Sequence, residues 1–216
     1  MKKLLLAASA ILCFGISAHA APILVFGQTG TSDTITGTAN ASGTSTTITG
    51  NNIPVSITEI LGVPTPINAF LSFSATKVGT ATKIPIGATT FVQQDFSGSF
   101  SITNGGKTNY LSGSFSGAFF GSGTSLTMSA SDATPKGNVK FTSNMIPTND
   151  LLSPRAISLS LADMTPGAHI KGDTLGSFLA SISGDFSASA STVPDPASLA
   201  LFGTGLLGLA LARRRP

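Results

Sequence analysis

The chain has very little cysteine, histidine, tryptophan and tyrosine. Its 216 residues include one Cys, two His, one Tyr and no Trp. The single cysteine, Cys13, lies in an apolar N-terminal segment, so the rest of the chain can form neither a disulfide nor a thiolate metal site. A cysteine nucleophile is excluded there for the same reason. Sugar-binding platforms favour Trp and Tyr, so Tyr110 alone is a weak basis for one.

The scarcity of histidine also limits catalysis. A Ser-His-Asp triad needs one histidine held between an acid and a nucleophile. Outside the N-terminal segment only His169 is left, directly after a Pro-Gly turn signal, and no Gly-x-Ser-x-Gly elbow occurs. We therefore expect an exposed loop histidine and no catalytic residue. No calcium-loop motif is present, and we expect no metal and no cofactor.

Charge is sparse, at 10% of residues, and its basic excess comes from the two ends of the chain. Lys2, Lys3 and the arginines 213–215 account for the sequence pI near 9.3. Between residues 21 and 194, seven basic residues face eight acidic ones. A nearly neutral body offers no phosphate-tracking stripe, so nucleic acid is not an expected partner.

The N-terminus has the three parts of a secretory signal. Lys2 and Lys3 precede the apolar run 4–16, and Ala18-His19-Ala20 supplies a small-x-small cleavage pattern. We predict that residues 1–20 are a signal peptide, that signal peptidase is a processing partner, and that the mature chain begins at Ala21.

The body, residues 21–191, is predicted to be an extracellular all-β domain. Period-two alternation recurs in ten short segments separated by turn signals such as Asn104-Gly105-Gly106. This pattern favours a two-sheet antiparallel β-sandwich, with an up-and-down barrel as the alternative. The predicted strands are 33–39, 44–49, 55–60, 69–77, 91–103, 110–120, 125–131, 138–142, 156–161 and 177–189. The predicted core comprises Phe70, Phe73, Phe91, Phe96, Phe100, Phe115, Phe119, Phe141 and Phe186.

A pentapeptide, Ser-Gly-Ser-Phe-Ser, occurs at 97–101 and again at 112–116, with a near copy at 183–187. The turn between the first two copies predicts a hairpin that pairs Ile102 with Leu111. In that register Phe100 faces Gly113, while Phe115 faces Gly98 and Phe96 faces Gly117. The opposite face would carry mainly hydroxyl groups, which suit either simple solvation or contact with polysaccharide.

The C-terminal residues 192–216 have the pattern of a membrane-sorting tail. Val193, Pro194, Asp195 and Pro196 precede the apolar run 197–212, which Arg213, Arg214 and Arg215 follow. As a transmembrane helix, sixteen residues would cover about 24 Å, close to the thickness of a bilayer core. The arginines would stay in the cytoplasm and place the body outside.

This tail resembles the PEP-CTERM sorting signal, although Asp195 stands where that motif usually has Glu. The resemblance implies a bacterial protein whose tail is recognised by an exosortase, a membrane-embedded cysteine transpeptidase, in organisms that make extracellular polysaccharide. The body, through Phe26-Gly27-Gln28, residues 69–73 and residues 94–103, is similar to uncharacterised PEP-CTERM surface proteins.

We therefore expect a non-enzymatic matrix protein, sorted by an exosortase-like partner to the cell surface or exterior. Extracellular polysaccharide is a further expected partner. The alternatives are a carbohydrate-binding module and a polysaccharide-modifying hydrolase, the latter requiring two carboxylates about 5 to 10 Å apart.

Overall fold

The computed structural model describes residues 20–30, 34–133 and 137–190. Twelve β-strands and one 3-10 turn, Thr148–Asp150, make up its regular structure. The strands are β1 (Ala21–Gln28), β2 (Ile35–Ala39), β3 (Thr46–Ile60), β4 (Ile67–Ile86), β5 (Thr89–Thr103), β6 (Asn109–Ser122), β7 (Ser125–Ser131), β8 (Asn138–Thr142), β9 (Leu152–Thr165), β10 (Ile170–Lys171), β11 (Thr174–Leu175) and β12 (Phe178–Ser189). Since every pairing among these strands is antiparallel, the predicted antiparallel all-β class is confirmed.

Ten strands belong to one continuous sheet, and β10 and β11 form a separate two-stranded hairpin. Pairing runs from β12 through β2, β3, β4, β5, β6, β7 and β9, and β9 pairs again with β12. The hydrogen-bonded ladder therefore closes into a ring. β1 lies between β12 and β3, and β8 pairs with β6 beside β7.

The prediction of two separately bonded sheets differs from this continuous pairing. One reason is that segments 44–49 and 55–60, predicted as two strands, belong to the single strand β3. The predicted turn at Gly50-Asn51-Asn52 is instead a register shift between Gly50 and Ile53, where Asn52 has a φ of 51°. Such a bulge bends a strand without ending it, so one strand can pair with different neighbours along its length. β1, β10 and β11 were not predicted at all.

The core fills the interior of the ring with alternate residues of each strand. Seven of the nine predicted phenylalanines are buried. Phe70 and Phe91 are the exceptions, because burial of Leu71 and Val92 turns their immediate neighbours to the outer face. Phe26 and Phe178, absent from the predicted core, are buried at 2% and 3% exposure.

The predicted register of the β5–β6 hairpin is confirmed. Ile102 pairs with Leu111, and each of three phenylalanines lies opposite a glycine. The same pairing recurs elsewhere in the ring, at Gly37 with Phe178, Gly50 with Phe73 and Gly184 with Phe26. A ring covering a cross-strand glycine offsets the cost of that glycine in a strand.

A second reason for these glycines is the close approach of a neighbouring backbone. A Cβ added at Gly113 would lie 2.0 Å from the carbonyl oxygen of Lys140 on β8, and one at Gly98 would lie 2.1 Å from that of Ser74 on β4. Real Cβ atoms do not come so close to a carbonyl oxygen, so no larger residue fits without a backbone shift. The glycines therefore mark positions where adjacent strands crowd the inner face.

One end of the ring is closed by the β10–β11 hairpin. We call this the far end; it comprises the loops 40–45, 79–81, 123–124 and 166–177. Gln94, only 2% exposed, accepts hydrogen bonds at Oε1 from the Leu175 amide (2.8 Å) and the Thr174 hydroxyl (3.3 Å). The Thr174 hydroxyl also bonds that of Thr46, at 2.6 Å. These buried bonds hold the hairpin across the opening.

Candidate functional site

The outer face of the β5–β6 hairpin carries the hydroxyl groups that the sequence predicted there. Cross-strand pairs join Ser97 with Ser116, Ser99 with Ser114 and Ser101 with Ser112. These residues alternate with the buried phenylalanines and inward glycines, so the repeat builds the core with one set of positions and this surface with the other.

The hydroxyl surface extends well beyond the hairpin, which the sequence did not show. Strand register continues each row of side chains onto the neighbouring strands, about 4.8 Å apart. We call the resulting surface the hydroxyl face. Its three rows, in the strand order β8, β6, β5, β4, β3 and β2, are Thr142, Ser112, Ser101 and Ser72; Lys140, Ser114, Ser99, Ser74, Thr49 and Thr36; and Asn138, Ser116, Ser97, Thr76, Thr47 and Thr38.

Most of these hydroxyls are not used to hold the protein together. Ser112 and Thr142 share a hydrogen bond of 2.9 Å at one border of the face. Within the described part of the chain, Ser74, Ser99 and Ser114 make no side-chain hydrogen bond. Each hydroxyl can both donate and accept, so the face can bond water or the hydroxyls of a sugar chain equally well.

Charge on the hydroxyl face is limited to Lys140. Beyond its border, a shallow depression of about 880 Å³ is lined by residues that include Asp95, Ser129, Ser158 and Asp185. Desolvation there raises the pKa of the Asp185 carboxyl above its ordinary value. The cross-strand neighbours of Asp185 are Val25 and Ser158, so no second carboxylate lies directly opposite it.

Two phenylalanines form an aromatic pair on the outside of the ring. Phe91 and Phe120 stack with centroids 4.9 Å apart and an interplanar angle of 1°. Phe120 is 37% exposed and pairs across the ladder with Gln93. Sequence reasoning placed Phe91 in the core; the signal that could have found this pair is the odd-even position of Phe91 relative to Phe96 and Phe100.

The sequence-predicted processing residues fall at the borders of the described structure. Ala21 is the first residue of β1 and is exposed, and Ala20 is half-buried. Ala18, the sorting motif 193–196, the predicted helix 197–212 and the arginines 213–215 lie outside the described residues. Among the residues that are described, no helix is long and apolar enough to cross a membrane.

His169 is exposed, as the sequence predicted. Its Nδ1 lies 2.8 Å from the carbonyl oxygen of Gly167 in the same loop. Over residues 20–30, 34–133 and 137–190, no three His, Cys, Asp or Glu side chains are grouped so that they could hold a metal ion.

Comparison with known families identifies the tail. Residues 192–215 match the family described as the PEP-CTERM protein-sorting motif. The chain thus carries this sorting motif, as its sequence predicted, with Asp195 inside the matched range. No curated protein and no solved structure matches the chain. The motif implies an exported protein, processed by an exosortase-like enzyme and located at the cell surface or outside the cell.

Proposed function

We propose that the protein is a non-enzymatic component of a bacterial extracellular polysaccharide matrix, delivered there by exosortase-type sorting. The single observation that carries the sorting step is the matched motif at residues 192–215. β12 ends at Ser189, two residues before that match begins. The entire ring is therefore the cargo of the tail.

The hydroxyl face supports the matrix role. Hydrated polysaccharide presents hydroxyl groups that exchange hydrogen bonds with water, and rows of Ser and Thr offer the same donors and acceptors. Each bond made this way replaces a bond to water and contributes little alone, about 1 kcal/mol or less. Many weak contacts over six strands suit retention within a polymer better than selective capture of one sugar.

The experiment compares the producing bacterium with a strain that lacks this gene. We expect the protein to sediment with extracted matrix polysaccharide, and we expect the matrix of the deletion strain to have a lower elastic modulus. A protein found free in the medium, together with a mechanically unchanged matrix, would contradict the matrix role.

A carbohydrate-binding module is the second candidate, and the stacked pair Phe91 and Phe120 favours it. Exposed aromatic rings can pack against the apolar faces of sugars, with Gln93 beside them to bond a hydroxyl. Affinity electrophoresis in gels containing the polysaccharide tests this candidate. Retardation that Phe120→Ala abolishes, but the control Phe70→Ala retains, would favour the module over a purely structural role.

The hydrolase alternative has less support. Glycoside hydrolysis generally uses two carboxyl groups about 5 to 10 Å apart. Asp185 faces Val25 and Ser158 across the sheet, and Asp95 faces Val78 and Ala118. The two aspartates of the depression are separated by β6, β7 and β9, which is about 19 Å along the sheet.

A further inference from the structure

The two chain ends of the body meet at the end of the ring opposite the β10–β11 hairpin. Ala21, the predicted first residue of the mature protein, pairs with Ala188, and Ser189 pairs with Leu152. We call this the near end; it comprises these termini and the loops 61–66, 104–108 and 143–151. Both predicted processing sites therefore leave the ring from one side.

Contacts connect the near end around the ring. The Leu61 amide donates to the carbonyl oxygen of Ile23 beside the N-terminus, at 3.0 Å. On the other side, the Asn144 amide donates to the carbonyl oxygen of Asn109, at 2.9 Å. The near end is thus one connected surface rather than a set of independent loops.

Four large apolar side chains are exposed on this surface. The exposed fractions are 39% for Leu61, 38% for Phe70, 40% for Met145 and 42% for Leu152. The three near-end loops contain one base, Lys107, and one acid, Asp150. Val78, Ile86, Phe120 and Leu179 are as exposed elsewhere in the ring, so exposure alone does not single out the near end. The position of the termini does.

The length of the connection to the tail restricts how the body can be oriented. Ser189 and Ala197, where the apolar run begins, are eight residues apart. Eight extended residues reach at most about 29 Å. β12 has twelve residues, which is about 40 Å of strand, or about 30 Å of ring height at the usual tilt of closed sheets. The connection is too short for the far end to lie on the bilayer with the near end directed away.

We propose that the near end is the membrane-facing surface of the unprocessed protein, with Leu61, Met145 and Leu152 against the lipid. This inference rests on the proposed sorting function, because it requires residues 197–212 to be in the membrane. The contact is apolar and nearly uncharged, so it needs no anionic lipid. Release of the tail removes the tether, and three or four half-exposed side chains are too few to hold the body there alone.

The cysteine-free body allows a direct test. The full chain with Cys13→Ala is produced in a host without a sorting enzyme, purified from its membranes and reconstituted into phosphatidylcholine vesicles. Leu152→Cys and its matched control Leu179→Cys, which is 43% exposed at the start of β12, each carry an environment-sensitive fluorophore. Vesicle flotation reports insertion, and quenching by nitroxide-labelled lipid reports contact with the bilayer.

We expect both variants to float with the vesicles and the probe at position 152 to be quenched at least twofold more than the probe at 179. Adding phosphatidylglycerol should leave that ratio unchanged. Flotation with equal quenching, or with stronger quenching at 179, would overturn the near-end inference alone. Failure of the chain to float would overturn the membrane-inserted sorting tail, and the inference with it.

Discussion

The ring of Phe100 stacks on that of Phe186 across the core, with centroids 4.5 Å apart and planes inclined by 25°. Phe100 belongs to the first copy of the pentapeptide repeat and Phe186 to the near copy at 183–187. Phe141 lies edge-on to both rings, at 6.1 Å and 5.9 Å. The repeat thus supplies facing parts of one aromatic cluster that joins β5, β8 and β12.

Removal of the Phe100 ring should therefore destabilise the whole ring of strands. Phe100→Ala is expected to cost about 3 to 5 kcal/mol of the free energy of unfolding, since it leaves a cavity beside Phe186. Phe70→Ala is the control, because that side chain is 38% exposed and should cost far less. Urea unfolding followed by circular dichroism measures both. Equal losses would show that the cluster does not dominate the core.

The inward glycines should tolerate no side chain. Gly113→Ala is expected to cost about 1 to 3 kcal/mol, because the new methyl group meets the Lys140 carbonyl oxygen and forces a backbone shift. Gly27→Ala is the matched control on a strand, since no atom lies within 4 Å of the added Cβ. A stable Gly113→Ala variant would mean that the two strands can separate at little cost.

The sequence was sufficient to predict the β5–β6 register because alternation, the repeat and the Asn104-Gly105-Gly106 turn all specify the same pairing. It was insufficient for the closure of the sheet. β12 pairs with β9, β1 and β2, contacts that join residues more than 150 positions apart, and no local pattern encodes them. The hydroxyl face was predicted only as far as one hairpin, because its extension depends on those distant registers.

The buried amide of Gln94 should be needed to hold the β10–β11 hairpin. Gln94→Met keeps the volume but leaves the Leu175 amide and the Thr174 hydroxyl without this acceptor, at an expected cost of about 1 to 3 kcal/mol. Hydrogen exchange of residues 170–176 should accelerate. Gln93→Met, on the outer face of the same strand, should leave their exchange rates unchanged. If both variants exchange alike, the hairpin is held by other contacts.

Asp185 should make stability depend on pH. Because desolvation raises its pKa in the folded protein, folding is favoured when the carboxyl is protonated, and this contribution is lost as pH rises through the folded pKa. Asp185→Asn removes the cost of keeping a carboxylate there. The variant should therefore be more stable than the parent at pH 7 and equal to it below about pH 3, where unfolded Asp is also protonated. A difference independent of pH would assign the effect to packing instead.

Sorting through the tail is the central claim, and mass spectrometry of the secreted protein tests it most directly. We predict a secreted species that lacks Arg213, Arg214 and Arg215, produced only when the motif 193–196 is intact. Alanine at Pro194, Asp195 and Pro196 together should leave full-length protein in the membrane, whereas the neighbouring control Ser191→Ala should be processed normally. A secreted protein that still ends in Pro216, or normal processing of the triple variant, would contradict the account.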